Sequence, residues 1–278
     1  MTTTPATRER RAYVDAPLGQ AHVRELGQGP ALLLLHQTPW FSVQYRHAQP
    51  LIAAAGFRTL APDTPGFGFS PAPEGSPALE DYADHFAGVL DALGVEAAVV
   101  AGHHTGAGMA LALAQRHPGR VRGLVLHGVP LYSAEERAAK FAAAGPPAGL
   151  EADGSHLARH FALVRHKYQC DVGSLEGVQW SVLASAIAED RQFKAYKALF
   201  AWGGAEAALR GLRVPALFIS SPDDGLHEAT RRAHGLVPGS QYVEFDWGAS
   251  HLIFDRPQEW ADAVVAFVRE RCAGPAPR

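Results

Sequence analysis

Short apolar runs alternate along most of the chain with stretches whose apolar residues recur at helical spacing. The runs at residues 31–35 and 97–101 are continuous and those at 121–126 and 214–219 are mainly apolar, which is typical of strands covered on both faces. Residues 79–93, between two of these runs, have their apolar side chains at helical spacing. Strands that alternate with helices in this way predict an α/β fold with a mostly parallel central sheet and helices on both faces.

The alternation is interrupted at the start and in the middle of the chain. Residues 11–15 and 20–25 flank the turn-forming Ala-Pro-Leu-Gly and predict an antiparallel hairpin at a sheet edge. Further on, helical stretches such as 157–168 and 183–200 replace the alternation. The predicted domains are a first core part at 1–128, an inserted helical cap at 129–213, and a second core part at 214–278 that closes with a helix at 257–271.

Loops rich in glycine, proline and polar residues follow the predicted strands. Residues 36–40, 63–70, 221–225 and 248–251 each come directly after a strand. Ligands of open α/β sheets bind outside the carboxyl ends of the strands. We therefore expect a functional site at that edge of the sheet.

One strand leads into the sequence Gly-His-His-Thr-Gly at residues 102–106, and helix-forming sequence follows. Strand, sharp turn and helix are the setting of the nucleophile elbow G-x-S-x-G. There the central residue sits on a strained turn and the flanking glycines relieve crowding. Here the central position holds His104 and not Ser, Cys or Asp. The sequence therefore predicts the turn of an active site, with a histidine in place of the usual nucleophile.

Composition narrows the expected partners to small molecules. The chain has 278 residues, of which 47% are apolar, so it can bury a large core. Its formal charge is −3 and it contains no block of Lys and Arg, which argues against nucleic acid or an anionic membrane as a partner.

Cysteine usage and the N-terminus predict a cytoplasmic protein. Cys170 and Cys272 lie far apart and form no CxxC spacing, so we expect two free thiols in a reducing compartment. The polar N-terminus lacks the apolar region of a signal peptide, and the run at 31–35 is far too short to cross a bilayer.

Five landmarks occur in one order along the chain. They are His36-Gln37-Thr38-Pro39 after a strand, the loop at 63–70, the elbow at 102–106, Asp224 after a late strand, and His251 before the last helix. In these landmarks the chain resembles the α/β-hydrolase superfamily over nearly its whole length. The resemblance implies the α/β-hydrolase fold with an inserted helical lid, and a hydrolase that needs no organic cofactor.

The resemblance also implies roles for individual residues. His251 is expected to be the catalytic base and Asp224 the carboxylate that orients it, with Asp223 as the fallback acid. The backbone N–H groups of Thr38 and Thr105 are expected to form the oxyanion hole. Gln37 stands where the family usually has glycine.

His104 leaves several chemistries open. Its imidazole could attack an activated carbonyl of an ester or lactone and form an acyl-imidazole, which water would hydrolyse with the help of His251. Alternatively, His104 and His251 could act as an acid/base pair, in direct hydrolysis or in a lyase or isomerase reaction.

A third chemistry makes His104, His251 and Asp224 a metal site with two histidines and one carboxylate. The family places the acid behind the histidine, which argues against three ligands that converge on one ion, so we predict no metal. A ligand-binding protein that has lost its nucleophile is the non-enzymatic alternative. The retained acid, histidine and oxyanion loops argue against it.

The remaining histidines and the aromatic residues give further expectations. His103 and His36 are expected to be structural, and His127 could be structural or catalytic. The candidates for an apolar substrate pocket are Trp40, Phe41, Tyr132 and Trp180. The residues expected to pack within the lid or core are Phe161, Tyr196, Phe200 and Trp202.

Overall fold

The centre of the molecule is an eight-stranded sheet. The computed structural model describes residues 8–145, 149–167, 175–188, 192–246, 248 and 251–272. The strands are β1 (Arg10–Ala16), β2 (Gly19–Leu26), β3 (Ala31–Leu35), β4 (Arg58–Pro62), β5 (Ala98–His103), β6 (Val121–His127), β7 (Ala216–Ser220) and β8 (Gln241–Glu244). Their spatial order is β1-β2-β4-β3-β5-β6-β7-β8.

Parallel pairing begins at β4 and continues to β8. The β1–β2 hairpin is antiparallel, as the sequence predicts, and β2 pairs antiparallel to β4. All later pairs are parallel. In the β5–β6 ladder His103 lies opposite His127, so two histidines meet at the carboxyl ends of neighbouring strands. The predicted fold class is confirmed.

Helices cover both faces of the sheet, and a further set of helices lies between β6 and β7 in the sequence. The helices are α1 (Ala48–Ala54), α2 (Leu79–Ala92), α3 (Thr105–Arg116), α4 (Ala134–Ala143), α5 (Ser155–Lys167), α6 (Leu175–Ala188), α7 (Gln192–Ala201), α8 (Ala205–Arg210), α9 (His227–Gly235), α10 (Leu252–Asp255) and α11 (Pro257–Arg271). None of the helices in the described ranges is both long and apolar enough to span a bilayer.

Two apolar cores lie on opposite faces of the sheet. Along β3, Leu33 and Leu35 belong to the core that α2 and α3 cover. Leu32 and Leu34 belong to the core that α1 and α11 cover. Side chains of a strand alternate between the two faces, so a strand buried on both sides has to be apolar at every position. That is the continuous run seen in the sequence.

Helices α4–α8 lie between β6 and β7, in the region predicted as a cap. The part of the expected helix at 183–200 that the structure describes is helical: α6 covers it to Ala188 and α7 covers it from Gln192. Residues 189–191 lie outside the described ranges. The cysteine prediction is met at Cys272, which is a free thiol. Cys170, Tyr168 at the end of the predicted 157–168 helix, and two residues of the predicted loop at 248–251 lie outside the described residues.

The loop after β4 is built around one buried carboxylate. Asp63 is fully buried and accepts hydrogen bonds from the N–H groups of Ser42 (2.6 Å) and Phe69 (2.9 Å), and its Oδ2 lies 2.9 Å from His22 Nδ1. Burial alone would raise the pKa of Asp63, but these donors lower it below its usual value. Asp63 thereby ties the loop to β2 and to the segment after β3.

Replacing Asp63 with asparagine is expected to lower the free energy of unfolding by about 3–5 kcal/mol, because an amide cannot accept from all these donors. A lowered folded-state pKa stabilises the protein above the unfolded pKa near 4, and that stabilisation is lost as the pH falls through the folded pKa. The difference in stability between wild type and Asp63→Asn should therefore shrink in acid. Urea unfolding at a series of pH values measures it.

The matched control is Asp91→Asn. The Asp91 carboxylate pairs with Arg120 at 2.8 Å but is 69% exposed, so its removal should cost no more than about 1 kcal/mol. An equal loss in both variants would show that burial at Asp63 is not what stabilises the loop.

Candidate active site

The elbow holds His104 in a strained backbone conformation. β5 ends at His103, α3 begins at Thr105, and His104 between them has φ 49° and ψ −108°. Such a conformation costs about 1–3 kcal/mol for a residue other than glycine. A Cβ atom at Gly106 would lie 2.2 Å from the carbonyl oxygen of Leu35, so α3 can approach the sheet this closely only with glycine there. The predicted elbow geometry is present.

The imidazole of His104 is bound to a carboxylate. Its Nε2 lies 2.8 Å from Oδ2 and 3.0 Å from Oδ1 of Asp224, which follows β7. The Asp224 side chain is fully buried, whereas the His104 side chain is 21% exposed. The two residues form a buried acid beneath a partly exposed base.

The Asp224 carboxylate is ionised. Burial alone would raise its pKa, but the neighbouring His104 ring and the hydrogen bond from it, with smaller contributions from His127 and the N–H of Leu226, lower the pKa to about 2. A carboxylate only accepts hydrogen bonds, so Nε2 of His104 carries the proton and donates it to Asp224. In the neutral ring the lone pair is then on Nδ1.

Gly128 sets the position of the His104 ring. A Cβ atom at Gly128, which has φ +65°, would lie 2.1 Å from Cδ2 and 2.5 Å from Nε2 of His104. The Cδ2–Nε2 edge of the ring therefore packs against the backbone after β6. The His104 side chain as a whole is 21% exposed.

Replacing Gly128 with alanine is expected to push the ring off Asp224. Displacing a reacting group by about 1 Å can lower the rate about 10²-fold, and alanine at positive φ should also cost about 1–2 kcal/mol of stability. Gly94→Ala is the matched control, since Gly94 has φ +66° but open space around its Cβ position. Thermal melts should show a similar stability loss in both variants, and activity assays should show a loss in Gly128→Ala only. Equal activities would contradict the assigned ring position.

The pairing of Asp224 with His251 predicted from the sequence is corrected. In the described part of the chain the Asp224 carboxylate accepts from His104 and Leu226, and His251 makes no hydrogen bond to it. A serine at the elbow would be too short to reach this carboxylate and would need a histidine between them. The longer imidazole of His104 reaches Asp224 directly. Asp223, the fallback acid, instead accepts a hydrogen bond from the N–H of Gly248.

His251 lies at the start of α10 and is buried. Its ring packs edge-on against Trp40, with 5.4 Å between the ring centroids. Burial lowers its pKa to about 4, so the ring is neutral at pH 7. Gly177 of α6 covers it, since a Cβ atom there would lie 3.4 Å from His251 Nδ1. A catalytic role for His251 stays a prediction.

The two expected oxyanion-hole residues lie next to each other. The N–H of Thr38 donates to the hydroxyl of Thr105 at 3.2 Å, and Tyr196 of α7 donates to the carbonyl oxygen of Thr38 at 3.0 Å. Thr105 is the first residue of α3, so its N–H lies at the positive end of the helix dipole. His36 anchors the loop, because its Nε2 accepts from the N–H of Thr64. This fits the structural role expected for His36.

A cavity of about 420 Å³ opens above the elbow. Its lining residues are Gln37, Thr38, His104, Thr105, Pro130, Tyr132, Lys140, Tyr196, Leu199, Phe200, Asp223, Gly225 and Leu226. The volume is within the range of small-molecule sites. The lining residues from 129–213 are mostly apolar or aromatic and the others are mostly polar, so the cavity suits a ligand with both kinds of surface.

The aromatic residues predicted for the pocket divide into two groups. Tyr132 lines the cavity. Trp40 and Phe41 are 1% and 4% exposed and pack in the core, and Phe41 contacts the ring of Trp180, so these three do not form the described wall. Tyr196 and Phe200, expected to be packing residues, stack on each other and line the cavity. Helical spacing could not distinguish the face of α7 that covers the site.

The comparisons with known proteins identify the family. The family model of the alpha/beta hydrolase fold matches residues 30–257, and the chain belongs to this family. A solved esterase from Thermogutta terrifontis superposes with a TM-score of 0.78 at 20% identity and covers 94% of this chain and 98% of its own. A meta-cleavage product hydrolase from Pseudomonas fluorescens IP01 gives a TM-score of 0.74 at 20% identity, covering 93% of this chain and 97% of its own.

Sequence relatives match a shorter region. An epoxide hydrolase 2 of Siraitia grosvenorii is 38% identical over 109 residues, which is 37% of this chain and 34% of the relative. A 2-hydroxymuconate semialdehyde hydrolase of Pseudomonas sp. strain CF600 is 41% identical over 115 residues, 39% of this chain and 40% of the relative. The chain thus aligns with about a third to two fifths of the length of these curated relatives.

Proposed function

We propose that this protein is a hydrolase of an ester, lactone or related carbonyl compound, and that His104 with Asp224 is its working dyad. The observation that carries the proposal is the 2.8 Å contact between His104 Nε2 and Asp224 at the elbow. Membership of the family and the names of its relatives, an epoxide hydrolase and a semialdehyde hydrolase, support hydrolysis as the reaction.

In this proposal Nδ1 of His104 acts as the base. A carboxylate that accepts from one imidazole nitrogen makes the other nitrogen more basic and stabilises the imidazolium that forms. Nδ1 removes a proton from water, the resulting hydroxide adds to the substrate carbonyl, and the imidazolium then returns the proton to the leaving oxygen. No hydroxyl or thiol at the elbow is required.

The oxyanion is stabilised at Thr38 and Thr105. Their N–H groups lie beside the elbow, and the contact between the Thr38 N–H and the Thr105 hydroxyl occupies one donor in the resting site. The substrate oxygen would displace that hydroxyl, so the Thr38 N–H would keep a hydrogen bond and change only its acceptor. One such donor is typically worth about 10²–10³-fold in kcat.

The cavity supports a medium-sized substrate with one apolar part. Tyr132 and Phe200 provide an apolar wall, with 6.0 Å between their ring centroids, and Lys140 lies 4.7 Å from the centroid of the Tyr132 ring. Gln37 and Asp223 contribute polar groups to the same lining. In this proposal His251, whose ring packs edge-on against Trp40, is not the base.

The test is hydrolysis of short-chain p-nitrophenyl esters and simple lactones in water enriched in ¹⁸O, with intact-mass spectrometry of the protein during turnover. We expect ¹⁸O in the product acid and no acyl adduct on the protein. An adduct mapped to His104 would show that His104 is a covalent nucleophile and not a general base. Turnover of a carbonyl substrate without ¹⁸O incorporation would contradict hydrolysis and favour the lyase or isomerase alternative.

A further inference from the structure

A second group of polar side chains lies beneath the elbow, outside the proposed reaction. His103 and His127 are both fully buried at the ends of β5 and β6, and their rings stack with 4.2 Å between centroids. Within the described residues, Nε2 of His103 and both ring nitrogens of His127 have no hydrogen-bond partner. Buried polar atoms without a partner are rare in native proteins and call for a ligand or a special role.

One ligand atom from each of three side chains lies close to the other two. A ring nitrogen of His103, a ring nitrogen of His127 and a carboxylate oxygen of Asp224 all lie within 4.8 Å of one another. They come from the carboxyl ends of β5, β6 and β7, which are adjacent in the sheet. Three adjacent parallel strands therefore lead to the group at one edge of the sheet.

We propose that His103, His127 and Asp224 form a binding site for one divalent transition-metal ion. Two imidazoles and one carboxylate suit Zn²⁺ and similar ions, and do not suit Ca²⁺ or Mg²⁺, which prefer oxygen ligands. This set differs from the one considered from the sequence, because it replaces His104 and His251 with two histidines that do not reach the cavity. The proposal does not depend on the hydrolase function.

Ligation requires the two imidazole rings to turn and the ligand atoms to move closer. The rings are now stacked with 26° between their planes, and each ligating lone pair lies in its own ring plane. Tetrahedral ligands at about 2.0–2.2 Å from Zn²⁺ lie about 3.4 Å apart. The present limit of 4.8 Å therefore has to shorten by at most about 1.4 Å. Asp224 has enough lone pairs to ligate the ion and still accept from His104, so the dyad and the ion can share this carboxylate.

Gln44 controls which tautomer of His103 is present. Its amide Nε2 donates to His103 Nδ1, while its Oε1 accepts from the N–H of Gln37 at 3.0 Å. The proton of a neutral His103 ring is then on Nε2, the atom that has to bind the ion. Ligation therefore moves this proton to Nδ1, and the Gln44 amide has to turn by about half a rotation, which leaves the Gln37 N–H without its acceptor.

This requirement gives a variant that should gain affinity. A carboxylate in Gln44→Glu can accept from the Gln37 N–H and from His103 Nδ1–H at the same time. It would complete the carboxylate–histidine–metal arrangement, whose second-shell partner typically changes affinity by about 10–100-fold. We expect Gln44→Glu to bind Zn²⁺ at least about tenfold more tightly than wild type.

The experiment is equilibrium dialysis of the metal-free full chain against Zn²⁺, with the bound metal measured by mass spectrometry and no substrate present. Wild type should retain one ion per chain and His127→Gln none. His85→Gln is the matched control, because His85 is also fully buried with an unpartnered Nε2 but lies on α2, outside the group. It should bind as wild type does.

X-ray absorption at the zinc edge of the loaded wild type covers the case in which His127→Gln does not fold. Two imidazole ligands and at least one oxygen ligand are expected. Equal zinc retention by a folded His127→Gln variant, or a spectrum without two imidazoles, would place the ion on other histidines and overturn the proposal. Retention of no zinc by wild type would also overturn it, whatever the ester assays show.

Discussion

Replacing His104 with glutamine is expected to lower kcat/KM for ester hydrolysis by about 10²–10⁴-fold, the range typical of a general base. The glutamine amide can still donate to the Asp224 carboxylate, so that buried charge keeps a partner. It has no basic nitrogen to take a proton from water. The loss is therefore expected in the rate of the chemical step, and kcat should fall more than KM changes.

The matched control is His117→Gln. His117 also binds a carboxylate, with 2.7 Å between its Nε2 and Asp84 Oδ1, but it follows α3 at the end far from the elbow and does not line the cavity. Steady-state kinetics on both variants should show an effect at His104 alone. Comparable activity of His104→Gln and wild type would remove the imidazole from the reaction.

The second large effect is expected for Asp224→Asn, with kcat lowered by about 10²–10⁴-fold. An asparagine amide can present its N–H₂ group to His104 Nε2, which favours the tautomer with the proton on Nδ1. That ring can no longer act as a base toward the cavity. The substitution is nearly isosteric, so the change reports the polarity of the hydrogen bond and not its geometry.

Asp223→Asn separates the two neighbouring carboxylates. Asp223 lines the cavity but accepts from the Gly248 N–H and does not contact His104. We expect its substitution to change KM with little effect on kcat. If Asp223→Asn lost more activity than Asp224→Asn, the acid would have been assigned to the wrong residue.

Much of the fold could be predicted from the sequence because burial leaves a clear pattern. Continuous apolar runs such as 31–35 mark strands covered on both faces, and the closing helix Pro257–Arg271 has the predicted bounds. The described parts of the predicted 183–200 helix are also helical, in α6 and α7, because their residues favour a helix at helical spacing.

The position of the candidate site could be predicted from the sequence, but the hydrogen-bond partners of its residues could not. The position of His104 on the elbow follows from the glycines around it, and Asp224 follows a strand as expected. Which histidine binds that carboxylate depends on how far the His104 side chain reaches in the folded chain. The order of the residues along the sequence favoured His251 instead. The same limit applies to Trp40, whose place beside an oxyanion loop did not show that it points into the core.

Strain and burial at the elbow agree with a functional reading of His104. The chain holds a residue other than glycine at φ 49° and places an ionised, fully buried carboxylate beneath it. Both features cost free energy, the first about 1–3 kcal/mol. A protein that only binds a ligand in the cavity has no need of either, which favours the enzymatic interpretation.

The most direct measurement is chemical rescue of a His104→Gly variant with free imidazole, with kcat/KM for a p-nitrophenyl ester followed as imidazole is added. The space left by the side chain lies beside Asp224 and opens to the cavity. We predict a saturable increase in rate above the reaction of imidazole in buffer, and no such increase when Asp224→Asn is added to the variant. A rate that rises only as it does in buffer would contradict the claim that an imidazole held by Asp224 at the elbow performs the hydrolysis.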